Sequence, residues 1–261
     1  NQFGDQGDNG APQTYRSEAM GSGFIIDAEG YIVTNNHVVE KSKKISVRLP
    51  DKREFEAKLV GADPATDVAL LRVEGAHNLP TVAFGDDRRV RVGDWVIAVG
   101  NPFGLGGTVT AGIVSSIGRD IGAGPYTDFL QIDAPINRGN SGGPTFDLTG
   151  RVVGMNSAIF SPSGGSVGIG FAIPASTVQA TINQLKNNGS VTRGWLGVEI
   201  QSVTPELASS LGISAAKGAL VARVVQGSPA ASAGFQQGDL VVSLNGREID
   251  DSDRKSTRLN S

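Results

Sequence analysis

The sequence predicts an all-β fold, either a sandwich or one or two barrels. Glycine supplies 36 of the 261 residues, about twice its average share of roughly 7%. The glycines separate short apolar runs, which occupy residues 23–26, 31–34, 44–49, 54–60, 68–73, 94–99, 108–117, 129–132, 151–157 and 168–173. Turn-forming sequences such as Ala28-Glu29-Gly30 lie between them. Short strands at this density are typical of sandwiches and barrels.

One amphipathic helix is predicted behind the strands. Val178, Ile182 and Leu185 recur at the spacing of one helix face. We expect this helix to begin after Pro174 and to end at Gly189. It marks the end of the β domain, because strand and turn patterns resume shortly afterwards.

Composition excludes several functions. The net charge is −3 with both signs scattered, so no basic face for nucleic acid is expected. Cysteine is absent, which excludes disulfides, thiolate metal sites and a cysteine nucleophile. No apolar run approaches the roughly 18 residues of a membrane span, so no integral membrane segment is expected. The chain begins at Asn1 without an initiator methionine, and we expect a processed or trimmed form.

Residues 139–144, with the sequence GNSGGP, carry the strongest chemical signal. A serine hydroxyl becomes a good nucleophile when a base removes its proton and a carbonyl group has room to approach. Glycines on both sides of Ser141 leave that room. They also let backbone N–H groups point to one spot, where an oxyanion would form. A plain glycine-rich turn is the alternative interpretation.

The chain has two histidines as candidates for the base. His37 directly follows an apolar run, in the sequence TNNHVV, whereas His77 lies in the loop-like sequence GAHNLP. A neutral imidazole, with an ordinary pKa of about 6.5, can accept and return a proton near neutral pH. We assign His37 as the base and His77 as a solvated surface residue.

The third partner should be a buried carboxylate that fixes the tautomer of the imidazole. Asp67 precedes the apolar residues 68–71, which would bury its surroundings. Asp63 is the competitor, but it is next to Pro64 in a turn-like sequence. The chain order of histidine, aspartate and serine favours Asp67.

Four motifs together resemble the HtrA/Deg family of trypsin-like serine proteases. They are TNNHVV at residues 34–39, DVALL at 67–71, GNPFG at 100–104 and GNSGGP at 139–144. The similarity extends from about Met20 to Asp251 and includes GIGFAIP at residues 168–174. The resemblance implies two six-stranded β-barrels with the catalytic residues in the cleft between them. It implies no cofactor and no metal.

The resemblance also implies an oxyanion hole formed by the backbone N–H groups of Gly139, Asn140 and Ser141. Digestive relatives carry an aspartate just before the nucleophile, which pairs with a newly cut N-terminus. Asn140 cannot form that ion pair, so cleavage of a propeptide is not expected as the activating step.

An apolar specificity pocket is expected. In trypsin-like enzymes the residue six positions before the nucleophile lies at the base of this pocket. Here that residue is Pro135, followed by Ile136, and the family match puts Ile159 in the pocket wall. None of these can pair with a lysine or arginine side chain, so we predict cleavage after small aliphatic residues.

Two loops match regulatory segments of the family. Arg119, in residues 118–127, matches an arginine that relays a signal from the second domain, and a solvated loop arginine is the alternative. Residues 161–166, with the sequence SPSGGS, match a mobile loop of the substrate pocket.

The sequence RGWLGV at residues 193–198 resembles the carboxylate-binding loop of a PDZ domain. Backbone N–H groups of Trp195, Leu196, Gly197 and Val198 can hold a terminal carboxylate, and the next strand can pair with a peptide. The sequences SPAASAG at 228–234 and GDL at 238–240 strengthen the match. Packing at the domain junction is the alternative role for Trp195.

The predicted domains are a flexible arm at residues 1–19, a protease domain at 20–189, a partial PDZ domain at 190–253 and a non-native or unstructured tail at 254–261. After Ile249 a PDZ domain should continue into a helix and a closing strand. The sequence DRKSTRLNS at residues 253–261 has no apolar face. We therefore expect a C-terminally incomplete PDZ domain that binds peptide C-termini weakly.

The predicted function is that of a serine endopeptidase that degrades unfolded or damaged proteins in protein quality control and the stress response. The resemblance alone implies the periplasm or cell envelope and a homotrimer. A chaperone or peptide-binding module with low proteolytic activity is the first alternative. An esterase-like hydrolase with the same three residues is the second.

Overall fold

The computed structural model describes residues 20–102, 106–122, 126, 128–162, 164–210, 212, 217–244 and 247–249. The predicted arm at residues 1–19 and the predicted tail at 254–261 lie outside these residues. So does the segment after residue 249 in which the PDZ domain is expected to be incomplete. Strands dominate the element order of the described chain, as the sequence predicts.

The first unit is an antiparallel sheet. Its strands are β1 (Phe24–Ile25), β2 (Tyr31–Asn35), β3 (Ile45–Arg48), β4 (Glu54–Asp63) and β5 (Val68–Val73), in the order β1-β2-β5-β4-β3. The middle strand β5 is buried on both faces over residues 68–71, which explains its unbroken apolar sequence. A one-turn helix, α1 (Asn36–Val39), continues directly from β2. The family resemblance implies six strands here, and the described residues contain five.

The second unit is a closed six-stranded barrel, as the resemblance implies. Its strands are β6 (Trp95–Gly100), β7 (Thr108–Arg119), β8 (Phe129–Ile132), β9 (Pro144–Asp147), β10 (Val152–Ile159) and β11 (Gly170–Pro174). They pair in the order β10-β11-β8-β7-β6-β9. The largest core cluster joins both units, because Leu70 of the first sheet packs in the same cluster as Phe129 and Ile173 of the barrel.

The predicted helix is α2 (Ala175–Asn188). Val178, Ile182 and Leu185 are buried in the cluster shared by the two sheets. The helix ends at Gly189, which has a left-handed backbone (φ 71°) and donates its N–H to the Leu185 carbonyl at 2.9 Å. This is the C-terminal cap that glycine accommodates most easily. None of the described helices is both long and apolar enough to cross a membrane.

The third unit follows α2. Its elements are β12 (Val198–Ser202), α3 (Pro205–Ser210), β13 (Ala219–Val224), α4 (Pro229–Ser232), β14 (Leu240–Val241), β15 (Ser243–Leu244) and β16 (Arg247–Glu248). Three of these strands form a sheet in the order β12-β13-β14. Val198, Val221 and Ala230 form a small buried core of their own. Ser228 begins α4 by accepting a hydrogen bond from the Ala231 N–H.

A buried ion pair ties the segment after α2 to the first sheet. Arg193 Nη1 donates to Asp63 Oδ1 at 2.8 Å, and Nη2 donates to Oδ2. The Thr66 hydroxyl also donates to Asp63, and it lies 3.3 Å from the Thr181 hydroxyl on α2. The guanidinium of Arg193 lies over the Tyr126 ring, 4.3 Å from its centroid. One arginine therefore contacts the first sheet and the segment between β7 and β8.

Hydrogen bonding keeps Asp63 charged in this buried position. Burial alone would raise the pKa of its carboxyl, but hydrogen bonds from Arg193 and Thr66, with the charge of Arg193, lower the pKa below its ordinary value. A carboxyl group whose pKa is lowered by folding stabilises the fold when the pH is above its ordinary pKa. This contribution is lost as the pH falls through the lowered pKa. At neutral pH the stability therefore depends on the arginine.

We predict that Arg193→Ala lowers the free energy of unfolding at pH 7 by about 3 kcal/mol, because it leaves a buried carboxylate without its partner. The double variant Arg193→Ala/Asp63→Asn should recover part of this loss, since a neutral amide is easier to bury. Urea unfolding followed by circular dichroism measures both. Arg223→Ala is the matched control, because its pair with Glu199 is exposed on both sides. Equal losses for Arg193→Ala and Arg223→Ala would contradict the prediction.

Candidate active site

His37 is positioned by the turn from β2 into α1. Strand β2 is buried along its whole length, and the helix that follows brings the imidazole out of the core. The His37 side chain is 46% exposed, whereas the Asp67 side chain beside it is 25% exposed. The histidine therefore lies at the surface of a cleft, with its aspartate behind it.

Asp67 is held in an uncommon conformation. Its φ of 55° is left-handed, which is unfavourable for a residue other than glycine. The Asp67 carbonyl accepts the Asn36 N–H at 3.1 Å and the Asn35 side-chain Nδ2 at 2.9 Å. Its Oδ1 accepts the His37 N–H at 3.0 Å, and its Oδ2 lies 2.8 Å from His37 Nδ1. This contact can hold a proton on Nδ1 and leave Nε2 free to accept one.

The alternatives for these two positions lie elsewhere. Asp63 is bound to Arg193 at the junction with the third unit. His77 lies outside any helix or strand, and its backbone carbonyl accepts a hydrogen bond from Arg53 at 2.7 Å. The structure therefore brings together His37 and Asp67, the pair that the sequence favours.

Ser141 is connected to this pair through Ser157. The Ser141 hydroxyl donates to the Ser157 carbonyl at 3.1 Å, and the Ser157 hydroxyl donates to Asp67 Oδ2 at 2.9 Å. In this rotamer the Ser141 hydroxyl is directed to Ser157 and not to His37. Such catalytic hydrogen bonds are often long or misaligned before substrate binds. Hydrogen bonds through Ser157 thus link Ser141 to Asp67, which contacts His37.

Sequence reasoning missed Ser157. It lies on β10, and Asn156 and Ser157 form a buried polar pair in an otherwise apolar strand. Buried polar side chains in a strand normally have a specific partner. That pair of residues is the signal that could have pointed to the site.

Ser22 shapes the loop that carries the nucleophile, and it was also missed. Its N–H donates to the Ser141 carbonyl at 2.8 Å, and its hydroxyl donates to the Gly139 carbonyl at 2.7 Å. A Cβ added to Gly142, whose φ is 86°, would lie 2.2 Å from the Ser22 carbonyl oxygen. Glycine is therefore required at position 142, and Ser22 directs the loop carbonyls away from the cleft.

The three predicted oxyanion donors differ in this conformation. The Asn140 N–H donates to the Asn137 carbonyl at 3.1 Å, so it is already engaged. Among the described hydrogen bonds, the N–H groups of Gly139 and Ser141 have no acceptor. Gly139 has a φ of 98°, which turns the peptide before the nucleophile. The two free donors are the ones available to an oxyanion.

A pocket of about 250 Å³ lies on the Ser141 side of the cleft. Two of the predicted pocket residues, Ile136 and Ile159, line it. Pro135 does not: it is exposed, and its carbonyl accepts the Thr110 hydroxyl at 2.9 Å. Successive side chains of an extended segment face opposite sides, so the residue next to buried Ile136 faces away. The other lining residues are Asn137, Arg138, Ser141, Ser157, Ala158, Ser161 and Gly164.

The predicted regulatory arginine, Arg119, ends β7. It is exposed, and its Nε donates to Gln131 Oε1 at 3.0 Å. The described contact between its loop and the linker to the third unit is made by Tyr126, through Arg193. A relay role for Arg119 stays a prediction.

The predicted carboxylate loop precedes β12. Gly197 has a φ of 80°, and a Cβ there would lie 2.2 Å from the Ser228 side chain. The carbonyls of Leu196 and Gly197 accept the N–H groups of Ala230 and Val225, each at 2.9 Å. The N–H groups of Leu196 and Gly197 themselves have no acceptor among the described hydrogen bonds. Trp195 is 55% exposed at the start of the loop, and Val198 is buried in β12.

No group of three or more histidine, aspartate or glutamate side chains is arranged to hold a metal ion in the part of the chain that the structure describes.

The electrostatics of His37 are set by Asp67. Their hydrogen bond raises the pKa of the imidazole above its ordinary 6.5. Burial acts in the opposite direction, and the charges of Asp67 and Glu40 add to the rise. The hydrogen bond to Asp67 is thus the largest cause of the shift.

We predict that Asp67→Ala lowers the pH at which His37 titrates, because burial then acts without the hydrogen bond. NMR of the histidine ring protons measures this directly, since the chain has only two histidines. A His77→Gln variant assigns the signals. An unchanged titration of His37 would show that the contact does not form in solution.

Two family models match the chain. A trypsin-like peptidase domain matches residues 21–155, which include His37, Asp67 and Ser141, and a PDZ domain matches residues 194–261. The second match covers the predicted carboxylate loop. It also extends over the last residues of the chain, where an unrelated tail is the prediction from sequence.

Curated relatives and solved structures agree with these matches. A Brucella suis protein named "Probable periplasmic serine endoprotease DegP-like" is 59% identical over 92% of this chain and 47% of its own length. A Bartonella henselae protein of the same name is 60% identical over 90% and 47%. The chain thus spans about half the length of these relatives.

The structure of the HtrA-type protease AlgW with a decapeptide is 47% identical, with a TM-score of 0.83 over 92% of this chain and 74% of that chain. A serine endoprotease from Yersinia pestis is 37% identical, with a TM-score of 0.69 over 89% and 77%. The chain therefore belongs to the HtrA/Deg family, with a trypsin-like peptidase domain followed by a PDZ domain.

Proposed function

We propose that the chain is a serine endopeptidase that cleaves unfolded or damaged proteins with Ser141, His37 and Asp67. The supporting observation is the pair of contacts to the Asp67 carboxylate, from His37 Nδ1 at 2.8 Å and from the Ser157 hydroxyl at 2.9 Å. The carbonyl of the same Ser157 holds the Ser141 hydroxyl at 3.1 Å. Nucleophile, base and orienting carboxylate thus belong to one hydrogen-bonded group.

In the proposed reaction the Ser141 hydroxyl rotates from the Ser157 carbonyl toward His37. Its oxygen attacks the peptide carbonyl while His37 Nε2 takes the proton, and Asp67 stabilises the resulting imidazolium. The N–H groups of Gly139 and Ser141 bind the oxyanion. The C–N bond then breaks, and His37 gives its proton to the leaving amine.

An acyl-enzyme on Ser141 remains after the amine leaves. A water molecule attacks the ester while His37 takes a proton from it. When the second tetrahedral species collapses, His37 returns that proton to the Ser141 oxygen. The carboxylic acid product leaves, and the hydroxyl is restored for the next cycle.

The pocket beside Ser141 supports a preference for small aliphatic residues before the cut (position P1). Ile136 and Ile159 provide apolar walls within a volume of about 250 Å³. Arg138 also lines the pocket, so a basic side chain would meet a like charge. No lining residue carries a carboxylate to offset that repulsion.

Peptide C-termini are the proposed ligands of the PDZ domain. The N–H groups of Leu196 and Gly197 have no acceptor among the described residues, and β12 offers a strand for pairing. The similar HtrA-type protease AlgW has structures with a decapeptide and with a tripeptide, which supports peptides as ligands.

Regulation of the peptidase by the PDZ domain is proposed through Arg193. This residue leads into the PDZ domain and binds Asp63, four positions before the orienting Asp67. Its contact with Tyr126 reaches the loop after Arg119. A change in the linker would therefore act on the turn that positions the catalytic carboxylate. Measuring kcat of Arg193→Ala with and without a C-terminal peptide tests this coupling.

The names of the relatives support a periplasmic location, and a role in protein quality control is proposed with it. A homotrimer is also proposed. It is supported by exposed apolar side chains on the outer face of the barrel, where Trp95 of β6 is 58% exposed and Val109 of β7 is 67% exposed. Apolar surface of this kind commonly marks a contact between proteins.

A chaperone or peptide-binding module with low proteolytic activity is the second candidate. The rotamer of Ser141 favours it, because the hydroxyl donates to Ser157 and not to His37. The two candidates differ in one measurement. A chaperone suppresses aggregation of an unfolded protein equally well with Ser141→Ala, whereas a peptidase produces fragments that this variant does not.

We predict that Ser141→Ala and His37→Ala each lower kcat on casein by about 10⁶-fold, by analogy with other triads. Asp67→Asn should lower it by about 10⁴-fold, because the imidazole then adopts the wrong tautomer. Release of fluorescent peptides from labelled casein gives the rates. His77→Ala is the matched histidine control and should leave kcat unchanged. A damaging His77→Ala and a mild His37→Ala would overturn the assignment.

We predict that peptides with valine or alanine at P1 are cleaved at least about tenfold better than those with lysine or arginine, by kcat/KM. An unpaired cation in an apolar pocket is costly. Mass spectrometry of casein fragments maps the cuts, and synthetic peptides that differ only at P1 give the ratio. Fragments that end mainly in basic residues would refute this preference.

A further inference from the structure

A second pocket, of about 350 Å³, lies on the His37 side of the cleft. Pro64, Phe129 and Ala158 provide its apolar surface, and His37 and Glu40 lie at its polar side. The pocket shares Ser157 and Ala158 with the pocket beside Ser141. The end of β10, which carries Ser157 and Ala158, therefore lines both pockets.

This arrangement suits two neighbouring side chains of a substrate, and the inference rests on the proposed peptidase function. An extended peptide beside the end of β10 directs successive side chains to opposite faces. When the P1 side chain enters the pocket beside Ser141, the preceding residue (P2) faces the other way. The second pocket is thus the one that receives P2.

The charge of the second pocket comes from Glu40. Its backbone N–H caps α1 on the Asn36 carbonyl at 2.9 Å, which fixes the base of the side chain. The carboxylate lies 3.5 Å from Asn36 Nδ2 and 3.4 Å from Lys41 Nζ. The Lys41 side chain is 92% exposed, so this ion pair is weak and open to replacement by another cation.

The other charged groups of the pocket do not compensate Glu40. Asp67 is the second carboxylate in the lining, and its partner is His37. Among the described residues, no lysine or arginine side chain lines the pocket. The exposed Pro64 and the half-buried Ala158 give it apolar surface that suits the methylene stem of a long basic residue, whose charged end can extend to the rim.

We propose that Glu40 makes this peptidase prefer lysine or arginine at P2, directly before a small aliphatic residue at P1. The two pockets then have opposite electrostatic preferences, because Arg138 lines the first and Glu40 lines the second. A cut site is recognised as a basic residue followed by an aliphatic one.

Internally quenched peptides with valine at P1 and arginine, glutamine or glutamate at P2 test the proposal on the full chain. The wild type should give a kcat/KM for arginine about five- to tenfold above that for glutamate at low salt. This ratio counts both attraction and repulsion, each worth a few-fold for a partly exposed pair. It should approach one at high salt, because ions screen exposed charges.

Variants of Glu40 separate charge from other effects. Glu40→Gln should bring the arginine-to-glutamate ratio close to one, and Glu40→Lys should invert it. The ratio compares two substrates on one enzyme, so a change in the pKa of His37 or in folding cancels. Glu56→Gln is the matched control, since this exposed glutamate pairs with Lys44 on the first sheet and should leave the ratio unchanged.

The outcomes are distinct. A wild-type ratio near one, or a ratio unchanged by Glu40→Lys, overturns the role of Glu40 while cleavage after valine leaves the proposed function standing. Failure to cleave any of the peptides and casein overturns both. A ratio that follows the charge at position 40 and not at position 56 supports the proposal.

Discussion

The carboxylate of Asp67 is the point on which the site depends. It belongs to the turn before β5 in the first sheet, and it accepts a hydrogen bond from Ser157 on β10 in the barrel. His37 approaches it from the end of β2. The relative position of two separate sheets is therefore set at one side chain. Because the Ser157 carbonyl also holds Ser141, movement of β10 would displace nucleophile and carboxylate together.

Local sequence identifies residues whose surroundings are also local. His37, Asp67 and Ser141 stand next to strands or inside a glycine-rich turn, and helix α2 shows its period directly in the sequence. Ser157 and Ser22 were missed because their partners are 90 and 117 residues away. Such contacts exist only after the two sheets have packed. The polar pair Asn156 and Ser157 marks a special position on β10, but the neighbouring residues do not identify the partner of either serine.

Pro135 shows a different limit. A family match gives a position along the chain, but the direction of a side chain depends on the alternation of the backbone. Ile136 is 2% exposed and lines the pocket, so its neighbour must face outward. The family match leads to this segment, but the side chain that lines the pocket is that of the next residue, Ile136.

The end of β4 and the turn that follows it carry two aspartates with different partners. Asp63 binds the arginine of the linker, and Asp67 orients the histidine. The sequence presents them as competitors for one role because both are acidic and close to the strand. Burial distinguishes them: Asp63 is 4% exposed and is paired with a guanidinium. A turn of four residues, 64–67, thus separates the partner of the linker arginine from the last turn residue, Asp67, which contacts His37.

As the pH falls, the contact between His37 and Asp67 favours the stability of the fold but disfavours the proposed reaction. The pKa of the His37 imidazole is raised in the folded chain. The stabilisation from this pair is therefore complete below the ordinary pKa of histidine, and it is lost as the pH rises through the raised pKa. The proposed reaction needs the unprotonated ring, which dominates only above that raised value. Protonation of His37 therefore strengthens its contact with Asp67 and removes the proposed proton acceptor at the same time. Loss of one proton reverses both effects, without rebuilding any part of the fold.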